Sequence, residues 1–172
     1  MIVLYKLLFG GIVMIISFEE ITKDTIYIAQ EIINSNKQYN LLENGLDFRT
    51  IEEVESDLLN GKSSSNFIKL DDTYIGVIDF LLENPKDHFP WLGLLMIHKD
   101  YQGFGFGVKA FQLFEADFLT RGLEFVRIGV IKDNTKAHIF WKSLGFTMFK
   151  TTLGQYGNEI FCYEKHLSKK TS

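Results

Sequence analysis

The chain has 172 residues, which is enough for one domain with a sizeable hydrophobic core. Its apolar content of 46%, with 16 phenylalanines, excludes a disordered chain. The net charge of −4, without a long basic run, argues against nucleic acid as the main partner. A single cysteine, Cys162, excludes an internal disulfide and fits a reducing compartment, for which we expect the cytoplasm.

The amino-terminal stretch 1–16 is apolar apart from Lys6 and two glycines. It is shorter than the ~20 residues of a membrane-spanning helix, and it lacks a clear signal-peptide pattern, so we expect no membrane partner. Gly10 and Gly11 can be encoded by a ribosome-binding sequence two codons before Met14. We therefore hypothesise that Met14 is the native start. The predicted organisation is a leader or apolar extension at 1–13, a single domain at 14–168 and a tail at 169–172.

The first half of the chain predicts strands on either side of a helical pair. Residues 15–20 alternate as a strand does, and 25–36 has apolar residues at helical spacing. Residues 34–40 are polar and predict the helix end, and 41–48 predicts a loop. The TIEE sequence at 50–53 predicts a capping box that opens a second helix.

The second half predicts strands in sequence and then alternating strands and helices. Two strands, 67–70 and 74–82, form a predicted hairpin, and a turn at 85–90 leads to the next strand. The remaining predicted elements are a strand at 91–97, a helix at 108–119, a strand at 125–131, a helix at 133–144, and strands at 146–150 and 159–166. This order predicts an α/β fold in which a mixed sheet carries helices on both faces.

A glycine-rich turn lies between a predicted strand and a predicted helix, in the stretch 92–108, LGLLMIHKDYQGFGFGV. This arrangement suits an anion, because glycines let the backbone approach it and the helix start presents unpaired N–H groups. The dinucleotide pattern G-x-G-x-x-G fails because position 108 is valine, and the Walker A pattern fails because Val108 and Lys109 follow Gly107. From this stretch alone, a glycine-rich helix start without a ligand is an equal alternative.

Two blocks of residues stand out, Q-x-x-G-x-G at 102–107 and N-x-x-A-x-x-F-W-x-x-x-G-F at 134–146. Together they resemble the motifs of the GNAT superfamily of acetyl-CoA-dependent N-acetyltransferases. The resemblance implies a mixed, mostly antiparallel seven-stranded sheet that splays between its fourth and fifth strands. It also implies an acyltransferase that moves the acetyl group of the co-substrate acetyl-CoA to a primary amine. The four histidines show no metal-ligand spacing, so no metal is expected.

The resemblance assigns roles around acetyl-CoA. Backbone N–H groups of one turn would hold the pyrophosphate; the turn contains Gln102, Gly103, Phe104, Gly105, Gly107 and Val108. Leu95 and Ile97 match the strand positions that pair with the pantetheine arm, and the Leu95 N–H would stabilise the oxyanion. Asn134 would bond the pantetheine amide, unless it is an ordinary helix cap, and Phe140 would contact the cofactor.

Two departures from the family pattern concern the catalytic groups. Trp141 stands where most relatives have a tyrosine that protonates the leaving sulfur, and an indole N–H is not a usable acid. Tyr156 and Tyr163 are substitutes by residue type only, while Trp91 stands near the position of the usual glutamate base. We retain Trp141 as a residue of the reaction centre. The departures leave an alternative function, a non-catalytic acetyl-CoA-binding sensor or interaction module.

Asp79 is a candidate for anchoring or deprotonating a cationic acceptor. If 84–90 is the turn between two paired strands, Asp79 faces Leu95 and Glu83 faces Trp91. The alternative is a strand carboxylate that faces water. We expect direct attack of a small cationic amine in a ternary complex; a small-molecule amine and a protein amino group both remain open as acceptors. The sequence does not fix the oligomeric state, and a homodimer is one candidate.

Overall fold

The computed structural model describes residues 5–9 and 11–167, which form eight strands, five α-helices and one short 3-10 helix (Lys99–Tyr101). The strands are β1 (Tyr5–Phe9), β2 (Ile12–Glu20), β3 (Ser64–Leu70), β4 (Thr73–Leu81), β5 (Trp91–Ile97), β6 (Phe125–Ile131), β7 (Thr147–Leu153) and β8 (Glu159–His166). The helices are α1 (Ile26–Asn34), α2 (Lys37–Asn44), α3 (Ile51–Leu58), α4 (Phe106–Thr120) and α5 (Thr135–Ser143).

All eight strands belong to one sheet, in the order β1-β2-β3-β4-β5-β6-β8-β7. Among the described strands, β5 and β6 are the one parallel pair, and the others are antiparallel. The predicted mixed sheet is therefore confirmed. It has one strand more than the expected seven, because β1 pairs with β2 through residues that we assigned to a leader.

The structure describes the predicted start of the domain but not the predicted tail. Met14 lies inside β2, where it pairs with Leu7, and the hypothesis that it is the native start stays a prediction. The predicted tail 169–172 lies outside the described residues. Within the part of the chain that the structure describes, no helix has the length and apolarity to cross a bilayer.

Each face of the sheet carries its own hydrophobic cluster. One face packs against α4 and α5, with Phe111, Phe114 and Phe118 among its buried residues. The opposite face packs against α1 and α3, with Ile32 and Val54 buried there. Because side chains alternate along a strand, neighbouring residues of β4 and β5 enter different clusters. A residue's position in these two strands therefore decides which site it can reach.

The segment between α1 and α3 contains the helix α2, so the loop predicted at 41–48 is wrong for 41–44, whereas 45–48 is a loop as predicted. Asn40 is buried and donates through Nδ2 to the carbonyl oxygens of Ile33 and Asp47, each at 3.3 Å. These bonds fold the polar residues inward as α2, which ends at Gly45 in the left-handed conformation. The predicted capping box of α3 is confirmed, since Thr50 accepts a bond from the N–H of Glu53.

The register between β4 and β5 differs from the predicted one. Asp79 pairs with Leu94, and Leu95 pairs with Ile78. The prediction that Asp79 faces Leu95 is therefore wrong, and Leu81, not Glu83, faces Trp91. The reason is that β4 ends at Leu81, which makes the connecting loop longer than we assumed, and that a bulge shifts the register after Asp79.

The sheet opens between β5 and β6. These two strands share a single described pair, Trp91 with Arg127. Arg127 closes this end: its guanidinium bonds Asp87 at 3.0 Å and Glu164 at 3.1 Å, and lies 3.6 Å from the centre of the Phe89 ring. Beyond that clamp β5 and β6 diverge, which leaves an unpaired edge along β5.

We predict that Arg127→Met lowers the free energy of unfolding by about 2 kcal/mol, because Asp87 and Glu164 lose charged hydrogen bonds in a half-buried setting. Urea unfolding measures this change. The matched control is Lys132→Met, since Lys132 and its partner Glu159 are largely exposed and such pairs contribute little. Equal stability losses in the two variants would contradict the conclusion that the contacts of Arg127 stabilise the junction of β5 and β6.

Candidate functional site

The glycine turn before α4 has a backbone that favours glycine at two positions. Gly103 has φ +85° and Gly105 has φ +82°, both in the left-handed region that other residues rarely adopt. A Cβ atom at either position would meet no atom within 4 Å. The turn therefore presents bare backbone to an open space in front of α4.

The amino terminus of α4 suits an anion. Gly105 is its N-cap, no described side chain caps the first turn, and that turn holds no acidic residue. The first backbone bond of the helix runs from the N–H of Lys109 to the carbonyl of Gly105 at 3.2 Å. The amides at 106–108 precede that bond, so they can bind a phosphate at the positive end of a 15-residue helix.

The side chain of Gln102 ties the glycine turn to its neighbours. Its Nε2 donates to the carbonyl of Ile97 at 2.8 Å and to Oδ1 of Asn36 at 2.7 Å. Asn36 in turn donates to the same carbonyl of Ile97 at 3.2 Å. Gln102 thus positions the turn against the end of β5. We did not predict the part played by Asn36, because it is contributed from the link between α1 and α2.

The backbone of Leu95 faces the gap between β5 and β6. The N–H of His98 donates to the carbonyl of Ile75 in β4 at 2.8 Å. Alternate residues of a strand direct their amides to opposite edges, so Leu95 and Ile97 direct theirs away from β4. Since β6 has already diverged there, the Leu95 N–H is placed to bind an extended ligand in the gap.

The second block builds α5 and its contact with α4. Asn134 caps α5, because its Oδ1 accepts a bond from the N–H of Ala137 at 3.2 Å. The Phe140 ring lies beside Gly107, where an added Cβ would stand 3.5 Å from it. Trp141 is only 8% exposed and packs against the rings of Phe111 and Phe146. The indole is therefore part of the core between the two helices.

Tyr163 has a hydrogen-bond partner inside the protein. Its hydroxyl lies 2.7 Å from Nδ1 of His138, whose Nε2 lies 3.0 Å from the carbonyl of Lys132. A carbonyl only accepts, so Nε2 of His138 carries a hydrogen and donates to Lys132. Burial raises the pKa of Tyr163. Tyr156 is exposed in the turn between β7 and β8.

A cavity of about 240 Å³ lies on the other face of the sheet, between β4 and β5 and the first three helices. Its described lining residues carry three carboxyl groups and one guanidinium. The lining comprises Ile33, Tyr39, Glu43, Arg49, Val54, Asp57, Leu58, Asp79, Gly93, Leu94, Met96 and Gln155. The cavity is thus acidic on balance.

Arg49 is a fixed element of this cavity. It is buried, and its guanidinium binds Glu43 at 2.8 Å and Asp57 at 2.6 Å. Its backbone N–H donates to Oδ1 of Asn34 at 2.8 Å. Burial raises the pKa of Glu43, against the opposing effect of the Arg49 charge. The sequence analysis missed Arg49, since its partners lie on two different helices.

Asp79 belongs to this cavity, on the face opposite the side chain of Leu95. Its Oδ1 lies 2.6 Å from the hydroxyl of Ser65, and a Cβ added at Gly93 would lie 3.2 Å from its Oδ2. Burial raises its pKa, while hydrogen bonds from Ser65 and Ser63 oppose the rise. Asp79 therefore lies beside Gly93 and Leu94 of β5, and not opposite Leu95 as we predicted.

A turn from the far side of the gap closes over the cavity. Asn158, between β7 and β8, donates through Nδ2 to the carbonyl of Leu42 at 3.0 Å and to that of Glu43 at 2.8 Å. These bonds join the turn to the end of α2. Gln155 of the same turn lines the cavity, so the site is assembled from both halves of the opened sheet.

Known proteins resemble this chain in family and in fold. The model of the acetyltransferase (GNAT) family matches residues 29–146, whereas no curated protein sequence matches significantly. A Thermus thermophilus acetyltransferase structure is 24% identical, with a TM-score of 0.74 over 88% of this chain and 97% of that one. A Salmonella typhimurium acetyltransferase that modifies the N-terminal serine of a ribosomal protein is 15% identical, with a TM-score of 0.72 over 89% and 95%. Spermidine N-acetyltransferase from Vibrio cholerae, solved with CoA and spermine, is 14% identical, with a TM-score of 0.67 over 88% and 95%.

Proposed function

The chain belongs to the acetyltransferase (GNAT) family and is an acyltransferase, and on that basis we propose that it acetylates a primary amine of a small cationic molecule with acetyl-CoA. The observation that carries the choice of acceptor is the acidic cavity beside β5. Acetyl-CoA supplies the acetyl group as a thioester, which is an activated acyl donor.

The residues around the gap fit acetyl-CoA. The left-handed glycines and the uncapped start of α4 suit the pyrophosphate, in the turn that runs from Gln102 to Val108 and includes Phe104. The open edge of β5 at Leu95 and Ile97 suits the peptide-like pantetheine arm. Nδ2 of Asn134 can donate to that arm while Oδ1 caps α5, and Phe140 packs beside the turn.

The cavity favours a small cation as the acceptor. Glu43, Asp57 and Asp79 outnumber the single guanidinium, so a positively charged ligand reduces the excess of negative charge. The volume of about 240 Å³ exceeds the ~150 Å³ cavity that holds benzene, which suits a short amine. The spermine bound to the Vibrio cholerae relative supports this choice, and the protein substrate of the Salmonella typhimurium relative defines the competing one.

We expect direct attack within a ternary complex. The amine nitrogen forms a bond to the acetyl carbon while the carbon–sulfur bond breaks and its electron pair leaves with sulfur. The Leu95 N–H is placed to donate to the carbonyl oxygen as negative charge develops there. Trp141 packs against Phe111 and supplies no proton. Departure of the thiolate does not require one, because a thiol has a pKa of about 8.5.

The first of three predictions about the proposed function concerns the glycine turn from Gln102 to Val108. Gly105→Val should abolish detectable acetyl-CoA binding in calorimetry, because the added side chain enters the space assigned to the phosphate. Valine at positive φ also costs about 1–2 kcal/mol of stability. Gly122→Val is the matched control, since Gly122 has φ +76° at the opposite end of α4 and equally open surroundings. Similar acetyl-CoA affinities in both variants would contradict the glycine turn as the phosphate-binding site.

The second prediction concerns Trp141. We expect kcat of Trp141→Phe to fall less than ~10-fold, because this variant loses packing alone. Loss of a general acid would instead lower the rate by about 10²–10⁴-fold. The aromatic contacts with Phe111 and Phe146 can persist in this variant. Steady-state kinetics at saturating acetyl-CoA measures it. A drop of several hundredfold at unchanged acetyl-CoA affinity would instead assign the indole N–H to the transition state.

The third prediction concerns the acceptor cavity. Release of CoA should be faster with 1,4-diaminobutane than with a peptide that offers only its amino terminus. In Gly93→Ala the added methyl group approaches Asp79 Oδ2, and kcat/KM for the diamine should fall about tenfold or more at unchanged acetyl-CoA affinity. Faster acetylation of the peptide, or a Gly93→Ala variant with full diamine activity, would refute the cavity as the acceptor site. Acetyl-CoA binding without turnover of any amine would support the sensor alternative.

A further inference from the structure

Ser65 and Asp79 are direct neighbours across the sheet, on the face that carries the acidic cavity. Ser65 of β3 pairs with Asp79 of β4, which pairs with Leu94 of β5. Paired residues direct their side chains to the same face, so the serine hydroxyl stands beside the carboxyl group, behind the cavity. Ser65 is buried, and its hydroxyl bonds the carbonyl of Leu58 and the carboxyl group of Asp79.

The Ser65 hydroxyl lies between two acceptors but has one hydrogen. Its Oγ is 2.6 Å from Oδ1 of Asp79 and 2.7 Å from the carbonyl oxygen of Leu58. If Asp79 is ionised, the hydroxyl can donate to only one of these oxygens at a time. If Asp79 is protonated, its own O–H donates to Oγ while the serine hydroxyl donates to Leu58, and both contacts are satisfied.

We propose that Ser65 lets Asp79 hold or release a proton with no movement beyond rotation of its own carboxyl group, and that Asp79 is thereby the base that deprotonates the acceptor ammonium. This inference rests on the proposed function of the cavity. One proton passes from the ammonium to the Asp79 carboxylate, and the electron pair of the broken N–H bond stays on nitrogen for attack. Rotation about the Cβ–Cγ bond turns the protonated oxygen toward Ser65.

The surroundings of Asp79 set the direction in which its pKa is shifted. Burial raises its pKa most, the charge of Asp57 on α3 raises it further, and the two serine hydroxyls lower it. Glu43 of α2 and Arg49 share the cavity, whereas β5 contributes the uncharged Gly93 and Leu94. A carboxyl group with a raised pKa is a better proton acceptor near neutral pH than an ordinary aspartate.

The experiment combines a titration with kinetics in four variants: Ser65→Ala, Ser65→Thr, Asp79→Asn and Ser64→Ala. Carbon-13 NMR follows the Asp79 carboxyl in the protein without substrates, and kcat/KM for 1,4-diaminobutane is measured against pH. Activity requires ionised Asp79, so kcat/KM falls as the pH drops through its pKa. Ser65 bonds Asp79 in both protonation states, but its bond to the ionised carboxylate is charge-assisted and is the stronger of the two. Loss of Ser65 therefore raises the pKa of Asp79, and both midpoints should move up by about one pH unit in Ser65→Ala.

The other variants separate a proton-handling role from a structural one. Ser65→Thr retains a hydroxyl and should keep the original midpoints, as should Ser64→Ala, in which an exposed neighbour is changed. Asp79→Asn should lower kcat/KM by about 100-fold or more and abolish the acidic limb. Because the same diamine is used throughout, its own ionisation affects every profile equally.

Three results would overturn the inference. If Ser65→Ala leaves the NMR midpoint of Asp79 unchanged, the Ser65 hydroxyl does not influence the protonation of Asp79. A moved NMR midpoint with an unmoved kinetic limb would show that Asp79 titrates but is not the base. A uniform loss of kcat/KM at every pH would assign Ser65 a structural role. Failure of the diamine as a substrate, with acetyl-CoA bound and the NMR midpoints moving as expected, would instead reject the proposed acceptor and with it the assignment of Asp79 as base.

Discussion

The separation of β5 from β6 is the constraint on which the site depends. Arg127 of β6 joins the two strands at Trp91, because its N–H donates to the carbonyl of Pro90 and its guanidinium pairs with Asp87, which also accepts a bond from the Trp91 indole. Beyond this point the strands diverge. Without the clamp at one end, the sheet would have no fixed opening at the other. The divergence leaves the amides of β5 unpaired on that edge, and it places the glycine turn at the end of the same strand.

Strand β5 connects two sites of different chemistry. Its alternating side chains pack against α4 and α5 on one face and line the acidic cavity on the other, at Leu94 and Met96. Its backbone edge at Leu95 belongs to neither face. Acetyl-CoA bound along this edge and an amine held in the cavity would therefore meet at β5. Asn158 reinforces the arrangement, because it joins the far side of the gap to the end of α2.

The features that the sequence predicted are local ones. The glycine turn, the capping box at Thr50 and the start of α5 each depend on residues within a few positions of one another. The features that it missed depend on distant pairs. The polar segment around Asn40 looked like a helix end, although Gly45 offered a helix-stop signal that could have revealed α2. The predicted partner of Asp79 is wrong by one residue, because no local sequence pattern reveals the length of the connecting loop or the position of the bulge.

The most direct test of this account is amide hydrogen exchange at Leu95 with and without saturating acetyl-CoA. The account predicts that bound acetyl-CoA slows exchange at the Leu95 N–H, because the open edge of β5 becomes paired. Exchange at the His98 N–H should change little, since that group already donates to Ile75. Unchanged exchange at Leu95, in protein shown by calorimetry to be saturated, would contradict the claim that the gap between β5 and β6 receives the acetyl donor.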